Sequence, residues 1–300
     1  PVKAAEVSTK KRRSLGIGYI GLAHYLAKNG VKYSDPKAWE LVDRLSEAFQ
    51  YNLLRASCDI AKEKGKCEGF ERTKYADGLL PIDHYKKDVD EIVPHKQRMA
   101  WESLRKDIAK YGLRHSTLSA QMPSESSSVV SNETNGIEPP RALMSIKKSK
   151  KGPLKQIAPG FPKLKNDYTL LWDMPDNEGY INVVAMMQKY FDQAISGNWS
   201  YNPLQYENNE VPLSAMAQDM LTAYKMGWKT SYYQNTYDFK GEEDDVQPAG
   251  LSAVVQEEEG EDVELANSDT PVVNGHGRVN GQTTISTVAA DEDGECEACT

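Results

Sequence analysis

Thr117-Leu118-Ser119-Ala120-Gln121-Met122-Pro123-Ser124-Glu125-Ser126-Ser127-Ser128 decides the fold class. Thr117 to Met122 reads as a short strand. Pro123 ends it, a cluster of hydroxyls follows, and Val129-Val130 resumes an apolar pattern. That is the chemistry of a strand turning into a helix. The first N–H groups of such a helix have no partner inside it and carry the positive end of its dipole. Hydroxyls beside them complete an anion site suited to phosphate. An ordinary capped helix carries the same pattern, so the turn alone leaves both readings open. The next stretch, Ser131 to Pro140, is polar. Asn135-Gly136 suits a tight turn and Pro139-Pro140 forbids helix, which predicts a loop; beside an anion site it would form a pocket wall, and alone it is only a loop.

Around this turn the chain alternates helices and short strands. Ser34-Asp35-Pro36 offers a capping oxygen and then Pro where no N–H is needed. Trp39, Val42, Leu45, Phe49, Leu53, Ala56 and Ile60 then recur at helical spacing up to Gly65. Further helices are predicted over Gln97–Tyr111, Tyr180–Ile195 and Leu213–Met226. Strands are predicted over Ala142–Ile146 and Thr230–Asn235. Strands separated by helices place the chain in the α/β class.

Charge divides the 300 residues in two. Gly241 to Thr300 holds sixteen acidic residues and one basic, a net of −15, so the remaining 240 carry +7 within the overall −8. No aromatic residue follows Phe239. Such a stretch cannot bury enough apolar surface to offset its ordering entropy, and we expect disorder over 241–300. The expected organisation is a flexible lead over 1–11, a folded body over 12–240, and this tail. No run of eighteen uncharged apolar residues exists, which excludes a membrane-spanning helix. No signal-peptide core follows the basic Lys10-Lys11-Arg12-Arg13, so the expected compartment is the cytoplasm.

Three further motifs carry chemistry. Gly16-Ile17-Gly18-Tyr19-Ile20-Gly21 matches a dinucleotide fingerprint, but no strand precedes it. Glycines that let a helix approach closely are the better reading. Tyr232-Tyr233 lies in a predicted strand, where neighbours face opposite ways. A redox pair there requires the backbone to leave regular pleating so that the rings can stack. Cys296-Glu297-Ala298-Cys299 closes the acidic tail. Zinc needs four ligands and the tail adds only His276, so a mobile dithiol is favoured over a metal site. Cys58 and Cys67 read as small buried hydrophobes.

Together, Gly112 to Ala120, Met122 to Ser127, Thr134 to Arg141, Arg13 to Gly18 with Leu22 to Ala27, Leu221 to Lys225, and Tyr232 to Thr236 resemble the large subunit of class I ribonucleotide reductase. The terminal cysteine pair matches that family's redox tail. The resemblance covers about Arg12 to Asp238 and the last few residues.

It implies a C-terminal part of a ten-stranded α/β barrel, in which a thiyl radical attacks the ribose of a ribonucleoside diphosphate. Ser124, Glu125, Ser126 and Ser127 would hold the substrate diphosphate, with Pro123 lining the pocket. Tyr232 and Tyr233 would relay an electron and proton from the small subunit. Cys296 and Cys299 would re-reduce the active site and be reduced by thioredoxin or glutaredoxin. This chain would bind no cofactor of its own, the diiron-tyrosyl radical being supplied by the small subunit. The radical cysteine is expected upstream, on an N-terminal part of the large subunit. No nucleic acid or membrane partner is implied. His115 stands where the family pattern leads us to expect Asn, and the 241–295 stretch is longer than a usual tail.

Outside the resemblance, a non-catalytic scaffold presenting a dithiol or acidic tail is the competing reading. A thiol-disulfide oxidoreductase is weaker, since its dithiol normally opens a folded helix.

Overall fold

The computed structural model describes residues 2–149 and 152–237. The acidic stretch 241–300, with Cys296 and Cys299, lies outside these residues. Within the expected lead, α1 spans Lys3–Arg12, buries none of its residues and ends where Arg13 turns left-handed. Then come α2 (Leu22–Lys28), α3 (Pro36–Lys64), the single turn α4 (Pro81–His84), α5 (Trp101–Tyr111) and α6 (Glu125–Val130). The hairpin strands β1 (Met144–Ser149) and β2 (Gly152–Ile157) follow, then α7 (Glu178–Gln188), β3 (Gly197–Tyr201), α8 (Leu213–Met226) and β4 (Ser231–Thr236). The α/β class holds.

Helix α3 begins at Pro36 as expected, but Asp35 does not cap it. The Asp35 carboxylate reaches back to the Lys32 N–H at 2.7 Å. The deepest face of α3 is also rotated from the apolar stripe read in the sequence. Ile60 is 37% exposed, whereas Asp43, Ser46, Glu47 and Gln50 are fully buried. The buried acids are paired. Glu47 Oε1 accepts the Arg98 N–H at 2.8 Å, the Met99 N–H at 3.2 Å and Trp101 Nε1–H at 3.0 Å. Asp43 pairs with Arg98 at 2.7 Å and accepts the Tyr190 hydroxyl at 3.1 Å. These bonds explain why α5 starts at Trp101 rather than Gln97: a buried carboxylate holds the preceding N–H groups in an extended approach.

Helix α7 is buried on every side from Gly179 to Gln188, as befits a helix at the centre of a core. It stops seven residues earlier than the sequence predicts. Gln188 Oε1 accepts the Ile195 N–H at 3.1 Å, and Gln188 Nε2 donates to the Gln193 carbonyl at 2.9 Å. The side chain folds the chain back so that it can enter a strand. A second cluster packs α5 against the far half of α3 and includes Leu54, Cys58, Cys67, Trp101, Leu104 and Leu118. Both cysteines are free and buried, and burial pushes their thiols above the ordinary range. Their structural reading stands.

Four extended segments lie parallel. Ile17 bridges Ser119, Gln121 bridges Ile195, and β3 pairs with β4. The predicted strand over Thr117–Met122 is thus an extended segment tied by single bridges to both neighbours. Gly18 explains the glycine motif, though not by a helix contact. A Cβ there would lie 2.5 Å from the Ala120 carbonyl oxygen. The loop needs glycine to approach the central segment, and the Gln121 side chain completes the contact by accepting the Tyr19 N–H at 3.1 Å. Among the described residues no helix is long and apolar enough to cross a membrane, and no three His, Cys, Asp or Glu are grouped to hold a metal ion.

Candidate functional site

The strand-to-helix turn forms as the sequence dictates. Residues 117–122 run into Pro123, Ser124 is the N-cap, and α6 follows. The first intrahelical bond runs from the Ser128 N–H to the Ser124 carbonyl at 2.9 Å. The N–H groups of Ser126 and Ser127 precede it, so they have no acceptor within the helix. The Ser124 side chain makes no capping bond to them; its hydroxyl is turned away and donates to the Met122 carbonyl at 3.1 Å. Its own N–H donates to Asn135 Oδ1 at 3.0 Å. The 131–140 loop therefore braces the turn from behind.

The loop is anchored in turn by backbone bonds from Gly21 and Leu22 to the carbonyls of Thr134 and Gly136, at 3.0 and 3.2 Å. Glu133 also pairs with His24 Nδ1 at 2.9 Å. The pocket-wall reading of this loop is corrected accordingly: none of its residues lines the cavity described next.

Pro123, Ser124, Ser126, Ser127, Tyr232 and Tyr233 line one open cavity of about 510 Å³. Strand register accounts for this meeting. Gln121 is level with Ile195, and Gly197 is level with Ser231. Two residues beyond Gln121 is Pro123, so the turn stands level with the start of β4. A single intervening strand separates them, roughly 10 Å across two strand spacings.

The tyrosines sit on a bulge. Gly197 pairs with Ser231 but Trp199 pairs with Gln234, so two residues of β4 oppose the single residue Asn198. The extra residue breaks the alternation that would have sent the rings to opposite faces. Their centroids are 4.0 Å apart at 49°, and they are 51% and 57% exposed. Its hydrogen bond to Tyr233, then the electrostatic interaction with the same residue, pushes the Tyr232 phenol above its ordinary value.

Beneath the bulge Gly197 is pressed against Trp228, where a Cβ would lie 2.6 Å from the indole. Trp228 is itself fixed by Nε1–H to the Ile195 carbonyl at 3.0 Å. The pleating departure that the sequence reading required is present.

Sequence reasoning missed Asn135 as a brace and Asn198 entirely. Asn135 carried a signal, the Asn-Gly turn, but that signal says nothing of what the side chain bonds. His115, flagged as a departure, lies against α3, with Nδ1 2.9 Å from Ser57 Oγ. Burial lowers its pKa. It is not among the residues lining the cavity.

Comparison with known proteins agrees with this architecture. A family model for the ribonucleotide reductase barrel domain matches residues 1–234. The ribonucleoside-diphosphate reductase subunit alpha of Haemophilus influenzae is 57% identical over 238 residues, 79% of this chain and 32% of that protein. The corresponding subunit of Buchnera aphidicola is 56% identical over 238 residues, 79% of this chain and 31% of that protein. The reductase 1 subunit alpha of Escherichia coli is 51% identical over 250 residues, 83% and 33% of the two chains. The chain thus spans about a third of the length of these relatives. One model runs unbroken from the first helix through both tyrosines of the bulge, and the chain belongs to the ribonucleotide reductase barrel-domain family.

Proposed function

We propose that this chain supplies the substrate-diphosphate turn and the tyrosine relay of a ribonucleoside-diphosphate reductase large subunit. The observation that carries the proposal is the shared cavity: open N–H groups at one wall and a phenol pair in close, tilted contact at the other. The turn suits the diphosphate. The N–H groups of Ser126 and Ser127, with the serine hydroxyls, accept an anion without a buried countercharge. Pro123 and Ser124 shape the rim, and Glu125 falls within the same turn. The pair suits radical transfer, because two phenols in contact can exchange a hydrogen atom with little rearrangement.

Around this core stand the expected partners. An N-terminal part of the large subunit would bring the radical cysteine. The small subunit would supply the diiron-tyrosyl radical. Cys296 and Cys299 would return electrons from thioredoxin or glutaredoxin. The incomplete surfaces of the chain support an assembly: α8 carries Leu213, Met220, Leu221 and Tyr224 on one stripe, each more than 60% exposed. A cytoplasmic location fits the same reading.

The test is a protection measurement on the assembled large subunit. A ribonucleoside diphosphate at about a hundred times its Kd should add roughly 2.7 kcal/mol to unfolding stability. The nucleoside without phosphates should add far less. Replacing Ser126 and Ser127 together by Pro, which removes both N–H donors, should erase the difference. Equal protection by nucleoside and diphosphate refutes the turn as the phosphate site.

A further inference from the structure

We infer that Asn198 is a positioning residue of the tyrosine pair: its side chain takes the backbone N–H that the bulge frees and so holds both phenols in one cavity. The inference deepens the relay reading and rests on it. Where β3 and β4 are in register, the alternate backbone N–H groups of β4 that point toward β3 meet its carbonyls. At the bulge two residues face one, and one N–H is left over. Asn198 Oδ1 lies 3.0 Å from the Tyr233 N–H. The residue opposite the bulge thus supplies from its side chain the acceptor that its backbone cannot. Asn198 is half-buried and flanked by Gly197 and Trp199, which are fixed from below by Trp228. The acceptor is therefore carried on a rigid segment, as a precise site requires.

The consequence is geometric. With the Tyr233 N–H held, the extra residue cannot slip along β4, and the two rings keep their 4.0 Å contact. Without it β4 can return to regular pairing, which sends adjacent side chains to opposite faces. In the transfer step the phenoxyl oxygen of one ring takes the hydrogen atom of the other ring's phenol. One O–H bond breaks and one forms, and the electron and proton travel together. The first phenoxyl comes from a radical-generating partner subunit. Asn198 touches neither oxygen; it acts only through the backbone of Tyr233.

The experiment uses the reductase assembled with this chain. Asn198→Leu, of similar size but without an acceptor, should lower kcat about 10²-fold, the usual loss from a reacting group misplaced by about 1 Å. KM for the diphosphate should stay unchanged, since Asn198 does not line the turn. Asn198→Asp, which keeps the oxygen, should recover most of the rate. Hydrogen exchange of the Tyr233 amide in the unaltered chain gives a second, mutation-free readout, and protection is expected. A folded Asn198→Leu enzyme with full kcat, or a freely exchanging Tyr233 amide, overturns the inference. Tyr232→Phe and Tyr233→Phe in the same assay separate the two claims. If these retain turnover, the relay reading fails whatever Asn198 does. If they lose it while Asn198→Leu does not, only the positioning role fails.

Discussion

Removing one hydroxyl from the pair should separate chemistry from stability more cleanly than any other change in this chain. Tyr232 and Tyr233 are 51% and 57% exposed, and their rings are in contact at 4.0 Å. Tyr233→Phe keeps the ring, its stacking area and the backbone N–H to Asn198. What is lost is one hydroxyl that water also solvates, so the cost is at most about 1 kcal/mol. For a folded body of this size that is a fall in Tm of roughly 2–4 °C. Turnover should respond on another scale. A phenyl ring has no O–H to give up, and the relay ends there. The assays are calorimetry on the large subunit and reduction of a ribonucleoside diphosphate by the assembled enzyme. A chemical reductant should be used so that the tail's dithiol is not limiting. A variant that melts within a few degrees of the parent yet reduces substrate at near-parent rate refutes the relay. A variant that melts much lower would instead show that the hydroxyl is structural, and the packing described here would be wrong.

Other outcomes follow from the same geometry. Glu47→Ala leaves the Arg98 and Met99 N–H groups, the Trp101 indole and the Arg98 guanidinium without their buried partner; a loss of about 3–5 kcal/mol is expected in urea unfolding. Stability should fall on acidification. Burial holds His84, His95 and His115 below the ordinary imidazole value, so the unfolded chain binds protons that the folded one refuses as pH drops below about 6.5. Burial of Glu47 works against its ionisation, but the bonds from Arg98, Trp101 and Met99 outweigh it and lower its pKa; its contribution is present above about pH 4.3 and lost as pH falls through the folded value. Urea midpoints that stay flat from about pH 7.5 to pH 4 would contradict this. Cys296→Ser with Cys299→Ser should leave a single turnover intact and block repeated turnover driven by thioredoxin, and unimpaired multiple turnover removes the tail from the electron path.

How much of this could be read from the residues depends on whether side chain or backbone decides each element. Helix α8, the long α3, and the turn at Pro123 were legible because local rules set them: a Pro at the start, a Gly at the end, apolar spacing between. The start of α5 was not, because a carboxylate fifty residues away in sequence holds Arg98 and Met99. The end of α7 was not, because Gln188 bonds forward to Gln193 and Ile195. Strand β3 escaped because its five residues carry no local strand signal: Gly197 is there to accommodate Trp228, and Asn198 to face the bulge. The buried face of α3 was misassigned for a related reason. Two acids that look solvated in sequence become core residues once Arg98, Lys189 and Tyr190 surround them.

The two halves of the candidate site depend on one registration of strands, and this makes the site brittle in a definable way. Residues 117–122 deliver the turn at the level where β3 begins, and the Gln121–Ile195 bridge sets that level. Strand β3 then sets the level of β4 through Gly197 and Ser231, and the bulge opposite Asn198 turns both phenols to the same side. A one-residue slip at either pairing would reverse the facing of every side chain beyond it. The serine turn and the tyrosines would then no longer share a cavity, although each could still form locally. The close contacts at Gly18 and Gly197 guard against such slips, since neither position tolerates a Cβ without moving a neighbouring strand or indole. Gly197→Ala is therefore expected to do more than destabilise. By displacing Trp228 or β3 it should weaken diphosphate protection and slow radical transfer together, whereas changes confined to the turn or to the rings affect one without the other. Loss of only one of the two functions in a folded Gly197→Ala protein would show that the turn and the pair are positioned independently.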